Sequence, residues 1–197
     1  MLSGMPAGVV EEAAADTLRV RVYNHAGISA VEIEQMIGTA RRVLGMAGIR
    51  LATVLCSPLQ EETGGPEDCG AALGPADAVL EVFSSPPTIT PHALGGTNTE
   101  EGGPMICRVY YGFAVQLAEQ YDGVQAAELL GYAFAHEIGH ALGIEKHLAG
   151  GIMKARFSRR DVEDMTREWL RFTPREARRL RQNLRARASA QIGYLGR

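Results

Sequence analysis

No apolar run in this 197-residue sequence approaches the ~20 residues that a membrane helix needs, so a bilayer-spanning protein is excluded. Cysteine is scarce: Cys56, Cys69 and Cys107 are the whole set, and no CxxC pair occurs. That argues against a cysteine-based zinc site. The first residues, MLSGMPAGVVEEAAAD, lack a basic region followed by a long apolar core, so they do not read as an intact signal peptide. They read as a flexible leader over 1–16, which a chain beginning after a removed signal would also show. Histidine is scarce too, with five in the chain. What is present is an ordinary globular mixture, 46% hydrophobic and 22% charged, of a length that suits one domain with a full core.

The net charge of −3 hides an uneven spread. Residues 1–150 carry 18 acidic and 7 basic side chains, whereas residues 151–197 carry 5 acidic and 13 basic. A basic tail can bind nucleic acid. This one has no recognised nucleic-acid motif and belongs to an acidic chain. It reads instead as solvated amphipathic helix near an acidic surface of the same molecule.

Alternating apolar residues predict strands over Thr17–Asn24, Ile49–Cys56, Asp77–Ser84 and Met105–Tyr111. Helical spacing, a capping box at Ser29 and Glu32, and a terminal glycine predict a helix over Ser29–Gly48. The Pro- and Gly-rich residues 85–104 read as loop, with an edge strand around Ala93–Thr97. A short helix is expected at Phe113–Gln120. A longer one, from near Gly123 to about Leu142, is apolar almost all round and so should be buried. A turn, a short helix in SRRDVEDMTREWL and a final helix complete the chain. Thr173, Pro174 and Glu176 mark the start of that last helix with a capping box and a proline at its first position. The expected fold is α+β, a twisted mixed sheet packed on the long helix, with a smaller, mainly helical C-terminal part.

Three of the five histidines fall within HEIGHALGIEKH, His136 to His147. His136 and His140 are one helical turn apart, so both imidazoles project from one face and can share a zinc ion at ~2.0–2.1 Å. Glu137 lies beside them, within reach of a metal-bound water as general base. With 5 histidines and 17 glutamates, chance produces HExxH in roughly one such chain in a hundred. A chance match would usually fall on a surface. Here it falls on the most apolar helix, where two histidines and a glutamate are costly without partners. Gly143 permits a left-handed turn at the helix end, after which His147 can approach as third ligand.

In these residues the sequence resembles the metzincin zinc peptidases, whose motif HExxHxxGxxH is followed by a methionine-containing turn. Here Lys146 occupies the usual third-ligand position and the histidine follows at 147. That spacing is similar to archaemetzincins, although the further cysteines of that pattern are absent. The resemblance covers about Gly123–Ala155. It implies a metzincin-like zincin fold, one catalytic Zn2+ held by His136, His140 and His147, Glu137 as the catalytic base, and Met153 of GGIMKA as a structural Met-turn residue. It implies a peptidase acting on peptide or protein substrates. Residues 17–197 would form a single catalytic domain, 17–143 holding the sheet and active-site helix and 144–197 the Met-turn and C-terminal helices.

Two alternatives stay open. In a gluzincin-type hydrolase Glu163 would be the third ligand, but that pattern explains neither Gly143 nor His147. A non-enzymatic, zinc-stabilised binding module would use the basic helices as partner surface, but a structural site has no use for Glu137. His25 and His92 read as surface residues, with His92 near a possible substrate-pairing edge strand. Cys56 and Cys69 flank a polar loop that a disulfide would close if the protein is exported; otherwise three reduced thiols are expected. The reading favours the disulfide and a secreted or periplasmic monomer that binds no nucleic acid, with a cytoplasmic location as the alternative.

Overall fold

The computed structural model describes residues 16–57, 67–88, 90, 92–100, 102–121 and 123–195. Strand β1 (Thr17–Asn24) leads through helix α1 (Ala30–Met46) to β2 (Arg50–Cys56). A four-residue helix α2 (Glu67–Gly70), not expected from the sequence, precedes β3 (Asp77–Phe83). Then follow β4 (Gly95–Thr99), β5 (Met105–Tyr110), α3 (Tyr111–Ala118), α4 (Ala126–Ala141), α5 (Arg159–Thr166) and α6 (Pro174–Leu195). Both N-terminal capping boxes form: Ser29 with Glu32 on α1, and Thr173 with Glu176 on α6.

The five strands lie in the order β2-β1-β3-β5-β4. Every neighbouring pair is parallel except β4 with β5. Parallel pairing of β1 with β2 needs a crossover, which α1 supplies. One face of the sheet carries the core: Leu18, Val20 and Val22 of β1, Ala78, Leu80 and Val82 of β3, and Met105, Cys107 and Val109 of β5 are all buried. Helices α1 and α4 pack together on that face. The opposite face mixes apolar and charged residues and is tied by cross-strand ion pairs. Arg19 faces Asp77 across β1 and β3, and Arg108 faces Glu81 across β3 and β5, each at 2.9 Å.

One buried cluster runs from the sheet through α4 to Val162 and Met165 of α5 and Leu180 and Leu184 of α6. The basic C-terminal helix is fastened to the N-terminal half by its arginines. Arg181 donates to the Ala47 carbonyl, Arg187 to those of Pro75 and Gly103, and Arg185 forks onto the Asp16 carboxylate at 2.8 and 2.7 Å. Of the leader expected over 1–16, all but Asp16 lies outside the described residues.

Several boundaries differ from expectation for visible reasons. The long helix starts at Ala126 because Gly123 takes a left-handed φ of 85° and Gln125 is extended. The short helix begins at Tyr111, directly off β5. Helix α5 stops at Thr166 because Glu168 is left-handed, at φ 60°, and the Trp169 amide turns back onto the Asp164 carbonyl. Strand β4 covers residues 95–99 rather than 93–97, a shift set by its pairing of Gly95 with Val109 and Thr99 with Met105. A Cys56–Cys69 disulfide joins β2 to α2, while Cys107 is free and buried. Among the described residues no helix is long and apolar enough to cross a membrane.

Candidate metal centre

Helix α4 is buried along nearly its whole length, so whatever it presents inward must be apolar or partnered. Its histidines and glutamates are His136 and Glu137, both 7% exposed, and the partly buried His140 and Glu128. The helix ends in a Schellman turn. Gly143, at φ 91°, donates to the His140 carbonyl, and Ile144 donates to that of Gly139. A side chain at 143 would be strained by that φ, and its Cβ would lie 2.6 Å from Asn183 Nδ2. Asn183, which nothing in the sequence singles out, uses that amide to satisfy the Leu142 carbonyl at 2.7 Å.

The turn brings His147 back to α4. His140 Nε2 lies 2.9 Å from His136 Nε2 and 3.2 Å from His147 Nε2. The protons on two of these rings can be assigned. His136 Nδ1 is 2.7 Å from the Ile152 carbonyl and His140 Nδ1 is 2.6 Å from the Ile144 carbonyl. A carbonyl only accepts, so both Nδ1 atoms carry the proton and both Nε2 atoms present lone pairs. Two lone pairs facing each other at 2.9 Å repel unless a cation lies between them. Three nitrogens at ~2.0–2.1 Å from a tetrahedral zinc would stand roughly 3.3 Å apart, so the group needs little adjustment to hold one. Burial pushes the His136 imidazole down to about 4 and His140 below its usual value, aided in both by the neighbouring imidazoles. They are therefore neutral at physiological pH, as a metal ligand must be.

Among the described residues, His136, His140 and His147 are the group of three or more His, Cys, Asp or Glu able to hold a metal ion. Glu163 is exposed on α5 and is not in it. His25 is exposed, stacked on Phe83 with ring centroids 4.8 Å apart, and His92 is exposed beside Phe113. Lys146 is also exposed. With Arg175 and Arg179 it lines a cleft behind the loop that carries His147.

Met153 is fully buried beneath α4. A Cβ on Gly139, between the two helical histidines, would lie 2.5 Å from Met153 Sδ. The glycine of HEIGH is thus the seat of the methionine. The Met153 carbonyl accepts from Leu148, and the preceding Ile152 carbonyl orients His136, so this turn braces both ends of the histidine loop. Phe157 stands edge-on to His136, with centroids 6.3 Å apart.

Glu137 points toward β4. Burial pushes its carboxyl up to about 8, and among the described residues none donates it a hydrogen bond. A buried carboxyl group without such a donor among the described residues calls for an explanation outside the fold itself.

No protein-family model matches the chain, and no curated protein does. Among solved structures the chain is similar to an archaemetzincin from Methanopyrus kandleri, with a TM-score of 0.50 and 16% identity. The match covers 86% of this chain and 96% of that one. At that identity the likeness is one of fold, and that fold holds the three-histidine group described above.

Proposed function

We propose that the protein is a zinc-dependent peptidase of metzincin type. The observation that carries the reading is the convergence of three imidazoles on one point, beside a buried carboxyl group that accepts no hydrogen bond from the described residues. His136, His140 and His147 would hold one zinc ion. When bound, zinc supplies a Lewis acid that polarises a carbonyl and lowers the pKa of water toward ~7. Glu137 is the general base: its carboxylate takes the proton from the attacking water and delivers it to the leaving amine. A cation on the three nitrogens favours the ionised form of that carboxylate, offsetting the burial that raises it. Met153 serves as the Met-turn residue, keeping α4 and the His147 loop in register. Among the described residues no strand pairs with the outer edge of β4, which would pair with an extended substrate. The disulfide supports an exported protein, and 17–197 would act as one catalytic domain, as a monomer.

Glu137→Gln tests this reading because it keeps shape and removes basicity. Zinc content and thermal stability should match the parent, while hydrolysis of an unfolded protein substrate falls at least ~100-fold. A Glu137→Gln protein that cleaves as fast as the parent would sink the mechanism.

A further inference from the structure

We infer that Gly95, on the edge strand β4, is a positioning residue for Glu137: the missing side chain leaves the slot in which the carboxylate rests. The inference rests on the reading of Glu137 as general base. Gly95 pairs directly with Val109, whose side chain is fully buried on the helix-covered face. Directly opposed residues of an antiparallel pair point to the same face, so a side chain at 95 would project toward α4. A Cβ there would lie 2.9 Å from both Cγ and Oε1 of Glu137. Real Cβ atoms do not approach so closely, so the carboxylate and a side chain at 95 exclude each other.

Gly95 is not needed for backbone freedom, since it is not among the positive-φ residues. Its neighbour Gly96 has room to spare, with Tyr110 Oη the nearest atom at 3.9 Å. Space is therefore required at 95 and not at 96. With no hydrogen bond from a described residue holding the carboxylate, packing against this bare stretch of β4 is what sets its direction. The same hypothetical Cβ would also lie 2.9 Å from the Arg108 carbonyl on β5, so the test must separate carboxylate from strand.

The test is a double-mutant cycle on the zinc-loaded protein. Gly95→Ala should lower kcat by at least ~10-fold, since a misplacement of about 1 Å can cost 10²-fold. KM should stay within about twofold and zinc content should be unchanged. In a Glu137→Gln background the same substitution should change the residual rate by less than about twofold, because the group it acts through is already lost. Equal losses in both backgrounds would place the effect on the strand and overturn the inference.

A second readout needs no activity: the 13C signal of the Glu137 carboxyl in the metal-free protein, assigned by its disappearance in Glu137→Gln. Gly95→Ala should move it and Gly96→Ala should not; a signal unmoved by Gly95→Ala overturns the contact. If the parent hydrolyses no peptide, the peptidase reading fails while this signal still decides the contact. If Gly95→Ala does not fold, Gly95→Ala with Glu137→Ala should restore folding by vacating the slot. Continued failure would assign the clash to the Arg108 carbonyl.

Discussion

Alanine substitutions at three helical glycines should rank in an order worked out from what each new methyl would touch. Gly38, midway along α1, has nothing within 4 Å of its hypothetical Cβ. Alanine there gains helix propensity and should stabilise by about 0.5–1 kcal/mol. At Gly139 the Cβ would meet Met153 Sδ at 2.5 Å and Phe172 at 3.1 Å. The sulfur lies at the end of an adaptable side chain, so the overpacking cost belongs near the low end of ~1–3 kcal/mol and roughly cancels the propensity gain. At Gly131 the Cβ would lie 2.6 Å from the Met36 carbonyl and 2.5 Å from Thr39 Cβ, both fixed to α1. Neither can move unless the helices separate, so Gly131→Ala should lose about 2 kcal/mol net, or roughly 4–8 °C in Tm for a chain of this size. Urea unfolding of the metal-free variants measures all three. A Gly131→Ala protein as stable as Gly38→Ala would refute the close approach of α1 and α4 that aims the histidines.

Three further outcomes follow from other parts of the molecule. Reducing the Cys56–Cys69 bridge, which spans 13 residues, should cost about 3 kcal/mol on the loop-entropy scale, seen as a lower unfolding midpoint with reductant. Without reductant, alkylation of the unfolded chain should label Cys107 alone; in the folded state that thiol, pushed up to about 12 by burial, should not react. Burial would raise the Asp161 carboxyl, but bonds from Lys154 and from Ser158 outweigh it and hold the group below its usual value. Its contribution, as the N3 partner of the Ser158 cap and the acceptor from Lys154, is therefore full above the unfolded pKa and lost as pH falls through the lower folded value. The stability gap between parent and Asp161→Asn should close on acidification; a gap that widens would contradict the assignment.

How far the sequence foretells this structure varies with the physics of each part. Strand β1 appears over the residues its alternation marks, Thr17–Asn24, because one face is buried and the other is not. Helix α6 begins where its cap and proline say it should. The three clustered histidines meet, since helical spacing and a left-handed glycine leave few other paths. What the sequence hides depends on partners distant in the chain. Strand β4 is legible as an edge strand but not in its bounds, which its pairing to β5 sets and its two leading glycines do not mark. Helix α2 is one turn, and it carries the cysteine bridged to β2. Asn183, Arg181 and Arg187 look like ordinary residues of a basic helix until the fold sets carbonyls in front of them. Gly95 and Gly139 matter for atoms they lack, which no residue pattern displays.

Zinc bound per chain, counted after equilibration in a zinc buffer and gel filtration, tests the central claim most directly. The account predicts one zinc in the parent and in Glu163→Ala, and loss of that zinc in His136→Ala, His140→Ala and His147→Ala. A parent that retains no zinc, or a His147→Ala protein that keeps it while Glu163→Ala loses it, would contradict the account.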